Sequence, residues 1–410
     1  VFLLTLLLTG LFCVPQASAV DLPQVNAKAA LLMDYESGRT LYGLNERDTE
    51  YPASITKVMT ALLTLEAVDQ GVLTLDQQVA APSLVNDMDP TGSSADIKEG
   101  EVLTVEQLLY CMMLVSANEA ACILAETVAG SQDAFVALMN QRAQELGCTG
   151  THFVNPNGLH DPNHYSTAWD IYLFTREAMK NETFMKICGT ASYVVPATNM
   201  SEERELYTTN SLISNWRIMG YQYDGADGIK TGSTDAAGYC LSATAERDGM
   251  ELIAVVLKAK TSEQRFESAK SLLNFGFANY TLTDVYPGQA LPPVDVLLGE
   301  QDTVQPVLAQ SSRILVDKAQ LNDVTSELRL CENVEAPVEQ GQVLGTITAY
   351  FNGKSYGTLD LVATCSVERD PWLYRLDRIQ KFFDNLLVRI LLVVVLVVIA
   401  ALLLRVMFFR

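Results

Sequence analysis

The chain has 410 residues, 49 of them acidic and 28 basic, for a formal net charge of −21, with 49% hydrophobic side chains. Such a charge leaves no basic footprint for nucleic acid, and the length exceeds one ordinary core, so two domains are the expectation. The eight cysteines contain no C-x-x-C pair and no regular framework, which argues against a zinc ribbon or a disulfide scaffold.

The first residues, VFLLTLLLTGLFCVPQASAV, join an apolar run to Ala17-Ser18-Ala19, a small-x-small cleavage pattern. Residues 1–19 therefore read as a signal peptide carrying Cys13 away, although no initiator Met or basic segment leads it. From Lys28, KAALLMDYESGRTLYGLNERD reads as two strands around Glu36-Ser37-Gly38. In YPASITKVMTALLTLE, the residues Ile55, Val58, Met59, Leu62 and Leu63 repeat at the spacing of a buried helical stripe. Ser54 and Lys57, three residues apart, then share one face of its first turn. The ordinary alternative makes Ser54 an N-cap and Lys57 an exposed residue, and a lone Ser-x-x-Lys arises about once by chance in a chain of this size.

One helix is expected through TVEQLLYCMMLVSANEAACILAETVA. Cys111 and Cys122 would lie on it about 16 Å apart, too far to bridge. Another helix follows in SQDAFVALMNQRAQELG, closed by Gly147. All three histidines, His152, His160 and His164, fall in THFVNPNGLHDPNHYSTAWD. Pro156 and Pro162 deny them one helix face and no further ligands complete a set, so packing is preferred over a metal site. GIKTGSTDAAGYCLSATAERDGMELIAVVLKA reads as two alternating strands joined around Asp248-Gly249. The helix SEQRFESAKSLLNFGFANY then closes the domain near Tyr280. Strands first and last with helices between predict an α/β layered domain with a largely antiparallel sheet.

Beyond DVYPGQALPPVDV the segments become short and alternating, with a hairpin turn at Asn352-Gly353, as in a small all-β module ending near Glu368. Cys331 with Cys365 is the one disulfide pairing that its position permits considering. Leu386 to Phe409 is apolar except for Arg389 and Arg405. About 24 residues at about 1.5 Å each reach about 36 Å, enough to cross a bilayer. With the amino end exported, Arg405 and Arg410 face the cytoplasm, as the positive-inside rule prefers. The expected division is 1–19 signal peptide, 20–281 catalytic domain, 282–368 β-rich domain, 369–385 juxtamembrane linker and 386–409 transmembrane anchor.

Three triplets carry the chemistry: Ser54-x-x-Lys57, Ser116-Ala117-Asn118 and Lys230-Thr231-Gly232. A serine needs a base, no Ser-His-Asp set is evident, and a lysine one turn away is the available one once burial and a second cation, Lys230, hold it partly neutral. The helix N-terminus beneath Ser54 offers amides where an oxyanion would form. In order and context these triplets resemble the serine D-alanyl-D-alanine carboxypeptidases, the low-molecular-mass penicillin-binding proteins, and so does the surrounding sequence from about Val25 to Tyr280. The segment VEAPVEQGQVLGTI resembles that family's C-terminal module.

The resemblance implies a penicillin-binding-protein/β-lactamase-like fold of antiparallel sheet and helices, followed by the all-β domain and the membrane helix. It implies Ser54 as nucleophile, Lys57 as base, Ser116 as proton relay and Asn118 as a support for Lys57 and the substrate. Lys230, Thr231 and Gly232 would lie on an edge strand, the amides of Ser54 and Ser233 would form the oxyanion hole, and Thr231 and Arg265 would receive the terminal carboxylate. The implied substrate is a peptidoglycan stem peptide ending in D-Ala-D-Ala, β-lactams are covalent inhibitors, and no cofactor or metal is required. The protein would sit on the outer face of the bacterial cytoplasmic membrane. Glu119 stands where the family commonly has Asp. A class A β-lactamase would need an E-x-x-L-N loop, which is not found. Endopeptidase action on D-Ala crosslinks and a non-catalytic wall-binding role are the remaining alternatives.

Overall fold

Ala29 to Met33 have no exposed surface, so strand β1 (Ala29–Asp34) is apolar on both faces, as a strand covered from two sides must be. The computed structural model describes residues 21–284, 291–309, 313–319, 324–351 and 354–408; the expected signal peptide and the Asn352-Gly353 turn lie outside them. The chain divides into two units after Thr281.

In the first unit, β1 pairs with β2 (Thr40–Leu44), and Gly38, at φ +67°, makes the turn between them. A 3₁₀ turn over Ala53–Thr56 runs directly into α1 (Lys57–Asp69). A two-stranded ribbon of β3 (Gln78–Ala80) and β4 (Val102–Thr104) leads into α2 (Val105–Leu114), where Thr104 and Gln107 form a capping box. Then come α3 (Asn118–Ala129), α4 (Gln132–Glu145), α5 (Ala168–Ala178) and α6 (Glu182–Cys188). A second ribbon follows, β5 (Ser192–Val195) with β6 (Arg204–Tyr207). The last strands are β7 (Ala226–Thr234), β8 (Gly238–Arg247) and β9 (Met250–Ala259), before α7 (Ser262–Asn279). The main sheet is antiparallel throughout, in the order β2-β1-β9-β8-β7, which leaves β7 at its edge.

Three expectations are corrected. First, the burial of α1 extends beyond the expected stripe of Ile55, Val58, Met59, Leu62 and Leu63: every residue from Lys57 to Leu65 is buried, and the helix runs through the core. Fully burying Ile55, Val58 and Met59 contributes about 1.5–3 kcal/mol each. Its buried hydroxyls are satisfied, with Thr60 donating to Pro156 O at 2.6 Å and Thr64 to Thr60 O at 2.8 Å. Second, the expected single helix from Thr104 to Ala129 is two, because Ser116 adopts φ +67° and a helix cannot continue through that conformation. Cys111 and Cys122 are therefore on different helices. Third, the segment from Gly228 to Ala259 holds three strands: a tight turn at Thr234–Gly238 folds β7 onto β8 before Asp248-Gly249 folds β8 onto β9. Since β8 intervenes, the strand leading to Arg265 does not pair with the one carrying Lys230, as had been expected.

Among the described residues the second unit holds a three-stranded and a four-stranded sheet. One orders Thr303–Val304, Val294–Leu297 and Asn333–Glu335; the other orders Pro306–Leu308, Lys354–Ala363, Val343–Phe351 and Val324–Leu330. Their alternating residues meet in small cores around Val294, Val338 and Leu344, and around Ile347, Ala349 and Leu361. Cys331 and Cys365 are exposed and unbonded. The stretch expected as a linker forms α8 (Pro371–Asp384), capped by the Asp370 carboxylate and amphipathic, with Trp372, Leu376, Ile379 and Phe383 on one exposed face. Helix α9 (Leu386–Phe408) contains a 20-residue stretch, Leu386–Arg405, long and apolar enough to cross a membrane, with none of it buried.

Candidate active site

A serine at the start of a buried helix must turn its hydroxyl toward whatever that helix start faces. Ala53, at φ +49°, bends the chain ahead of Ser54, a conformation that costs an alanine about 1–3 kcal/mol and that persists where surrounding contacts impose it. The N-cap positions of the 3₁₀ turn and of α1 are Pro52 and Thr56, so Ser54 is the cap of neither. Its Oγ instead accepts from Lys57 Nζ at 3.0 Å. The ordinary N-cap reading is thereby replaced.

Lys57 has no exposed surface. Its Nζ also donates to Asn118 Oδ1 at 2.8 Å and to the Asn157 carbonyl at 2.6 Å. Burial pulls its pKa down to about 7, against the opposing pull of Cys122 and Glu119. Burial is thus the main cause, where burial with Lys230 had been expected. The charge coupling is felt at Lys230, which is held well below its ordinary value by burial first and then by Lys57 and Arg265.

The helix break supplies the next two groups. Ser116, in the break, is buried, and its Oγ makes no hydrogen bond among the described residues. Asn118, first residue of α3, takes up Lys57, and its backbone amide donates to Ser93 O at 2.9 Å. Glu119 holds the neighbouring loop: its Oε1 accepts from Ser94 Oγ and from the Ala95 amide, both at 2.7 Å. The longer side chain at this position is therefore accommodated by a hydrogen-bonded loop.

On the edge strand, Lys230 Nζ donates to Thr231 O at 3.1 Å, and the Thr231 hydroxyl lies 2.6 Å from that of Thr209. Gly232 could be no other residue without movement, since a Cβ there would stand 2.8 Å from Pro52 O, 2.9 Å from Ser54 N and 3.1 Å from Ile55 N. These are backbone atoms with no flexible end to yield, so glycine lets β7 lie against the nucleophile's own turn. Arg265, on the first turn of α7, donates from Nη1 to Gly232 O at 3.4 Å and stacks beside Tyr239 and Phe266. Its Nε has no partner among the described residues, and burial lowers its pKa to about 10. Ser54, Ser116, Thr231, Gly232, Ser233 and Arg265 line one cleft of about 290 Å³. Lys57, Asn118 and Lys230 are buried, and every site residue expected from the sequence is brought to this region.

Other groups here had gone unassigned. The Asn157 carbonyl holds Lys57, and Gly158, at φ +83°, lies so close to the start of α1 that a Cβ would strike Ala53 O at 2.0 Å. Within NPNG the acceptor is a backbone carbonyl, which leaves no side-chain signature. His164 is not a ligand: its Nδ1 accepts from the Val154 amide, its Nε2 lies 2.8 Å from Thr56 Oγ1, and burial pushes its pKa down to about 4. A neutral imidazole thus ties the Asn157 loop to the turn bearing Ser54. His152 contacts the Asn163 carbonyl and His160 packs edge-on to Tyr51. Among the described residues no cluster of metal-ligating side chains occurs.

An antiparallel sheet whose edge strand lays Lys-Thr-Gly against a buried Ser-Lys pair, with Ser-x-Asn at a helix break, defines the penicillin-binding-protein class of serine hydrolases. The chain belongs to the D-alanyl-D-alanine carboxypeptidase family, whose model matches residues 16–261, and residues 280–369 match the C-terminal domain of penicillin-binding protein 5. It is 35% identical over 330 residues to the D-alanyl-D-alanine carboxypeptidase DacF of Bacillus subtilis, covering 80% of this chain and 82% of that one. It is 32% identical over 368 residues to DacC of Escherichia coli, covering 87% and 88%. Among solved structures it resembles penicillin-binding protein 5 of Haemophilus influenzae, with TM-score 0.68, 29% identity and coverage of 85% of this chain and 100% of that one. Ampicillin-bound penicillin-binding protein D2 of Listeria monocytogenes matches with TM-score 0.54 and 31% identity over 62% of this chain and 98% of its own.

Proposed function

We propose that this protein is a penicillin-sensitive serine carboxypeptidase that removes the terminal D-alanine from peptidoglycan stem peptides ending in D-Ala-D-Ala. The observation that carries the reading is the buried Lys57, its pKa near 7, donating to Ser54 Oγ at 3.0 Å. Ser54 Oγ attacks the carbonyl carbon of the penultimate D-Ala while neutral Lys57 takes its proton. The oxyanion is met by the amides of Ser54 and Ser233. Ser116, whose hydroxyl has no partner among the described residues, passes a proton to the departing D-Ala amine as the C–N bond breaks. Asn118 holds Lys57 and the substrate backbone, and the stem peptide lies along β7 as an added strand. Thr231 and Arg265 take the terminal carboxylate, and water then hydrolyses the Ser54 ester. β-Lactams acylate the same oxygen.

The pH profile tests the base. Below its pKa of about 7 Lys57 carries the proton and cannot take another, so kcat/KM for D-Ala release falls about tenfold per pH unit there and is flat above. Steady-state rates over that range check this; a rising limb centred near the ordinary lysine value removes Lys57 as base.

In this reading 1–19 is a signal peptide, 20–281 the catalytic domain, 282–368 an accessory β domain, 369–385 a juxtamembrane segment and 386–409 an anchor that places the catalytic domain on the outer face of the cytoplasmic membrane. Full-length protein is expected to stay in the membrane pellet through carbonate washing, and a chain ending at Glu368 to be soluble and active on small peptides. Release of the full-length protein by carbonate reduces α9 to a surface helix.

A further inference from the structure

The cleft beside Ser54 is lined by two guanidinium groups, Arg265 and Arg217, and by no carboxylate. Arg217 lies in the segment between β6 and β7, and this segment holds its own shape. Asn215 Nδ2 donates to Gln222 Oε1 at 2.5 Å, the Gly220 amide donates to Asn215 Oδ1 at 3.1 Å, and Gln222 Nε2 donates to Ile213 O at 3.1 Å. Trp216 is stacked on Tyr207 with centroids 3.9 Å apart. At its start, the Thr209 hydroxyl meets that of Thr231 at 2.6 Å, so the segment is tied to the residue proposed to receive the carboxylate. Arg217 itself is exposed and makes no hydrogen bond or ion pair among the described residues. Its charge opposes protonation of both Lys230 and Arg265. A cation that shares a cleft with another and has no acid lining it gains most from an anion that enters.

We propose that Arg217 is a second guanidinium for the terminal carboxylate of the substrate, acting with Arg265 to favour peptides with a free C-terminus. This rests on the carboxypeptidase reading above. The side chain touches substrate and determines specificity; it takes no part in the proton transfers. Being exposed in the free protein, it contributes less than a buried ion pair would.

The test compares full-length protein with Arg217→Ala and Arg217→Lys on a diacyl-L-Lys-D-Ala-D-Ala peptide and on its C-terminal amide. For Arg217→Ala, kcat/KM on the free acid is expected to fall about 5- to 15-fold, mainly through KM, as for a charge-assisted contact made partly in solvent. The amide is expected to change less than about twofold, and Arg217→Lys to recover most of the loss because it keeps the charge. Equal losses on both peptides, or none on either, overturn the proposal. If the unsubstituted protein releases no D-alanine, the carboxypeptidase reading fails by itself. Arg217 is then read from acylation rates with benzylpenicillin and its methyl ester, where a loss confined to the acid supports it and parallel rates overturn it.

Discussion

Replacing Ser54 by alanine is expected to lower D-alanine release by about ten-thousand- to a million-fold, the range seen when the nucleophile of a serine hydrolase is removed. The substitution removes one oxygen, which accepts one hydrogen bond from Lys57, and leaves Asn118 and the Asn157 carbonyl still holding that amine. Stability therefore changes little, with a shift in Tm of about 2–4 °C at most for a loss near 1 kcal/mol in a domain of this size. A large loss of rate beside a nearly unchanged melting curve separates a missing nucleophile from a damaged fold. Wild-type-like turnover in Ser54→Ala contradicts the assignment.

Lys57→Ala is expected to cost about a thousand- to a hundred-thousand-fold in kcat/KM, since Ser54 then has no base and catalytic partners acting as a unit fail together. Here stability does change. Lys57 is wholly buried, and its loss leaves Asn118 Oδ1 and the Asn157 carbonyl without their donor. Each orphaned acceptor costs about 1–3 kcal/mol, partly offset because no amine must then be kept out of water. A lower Tm together with the collapse in rate is the expected pair of results, read by calorimetry and by D-alanine release. Retention of more than about a tenth of the activity would point to another base.

Much of this arrangement was legible in residue types. Ser54 with Lys57, the Lys-Thr-Gly run and the hairpin at Asp248-Gly249 are local patterns; the first gains its meaning from the other triplets, and Lys57 Nζ lies 3.0 Å from Ser54 Oγ. The helix break at Ser116 was not legible, because VSANEA has no Pro or Gly to mark the positive φ there. The hairpin between β7 and β8 was hidden for a similar reason: Thr234–Gly238 has no two-residue turn signature, and Gly238, at φ +63°, sits at the far end. The hold of Asn157 on Lys57 runs through a backbone carbonyl, and the side chain could not announce it. The burial of α1 beyond its apolar stripe has no signature in residue type, since Thr56, Thr60 and Thr64 are polar in sequence and each places its hydroxyl on a partner inside the core. Arg217 reaches the cleft from an aperiodic segment, where spacing carries no directional information.

The central claim is that Ser54 forms the acyl-enzyme. Incubating the full-length protein with benzylpenicillin, digesting it and locating the adduct by mass spectrometry tests this most directly. The account predicts a single penicilloyl group on the peptide containing Ser54 and none in Ser54→Ala. An adduct on any other residue, or turnover of D-Ala-D-Ala peptide with Ser54 never modified, contradicts it.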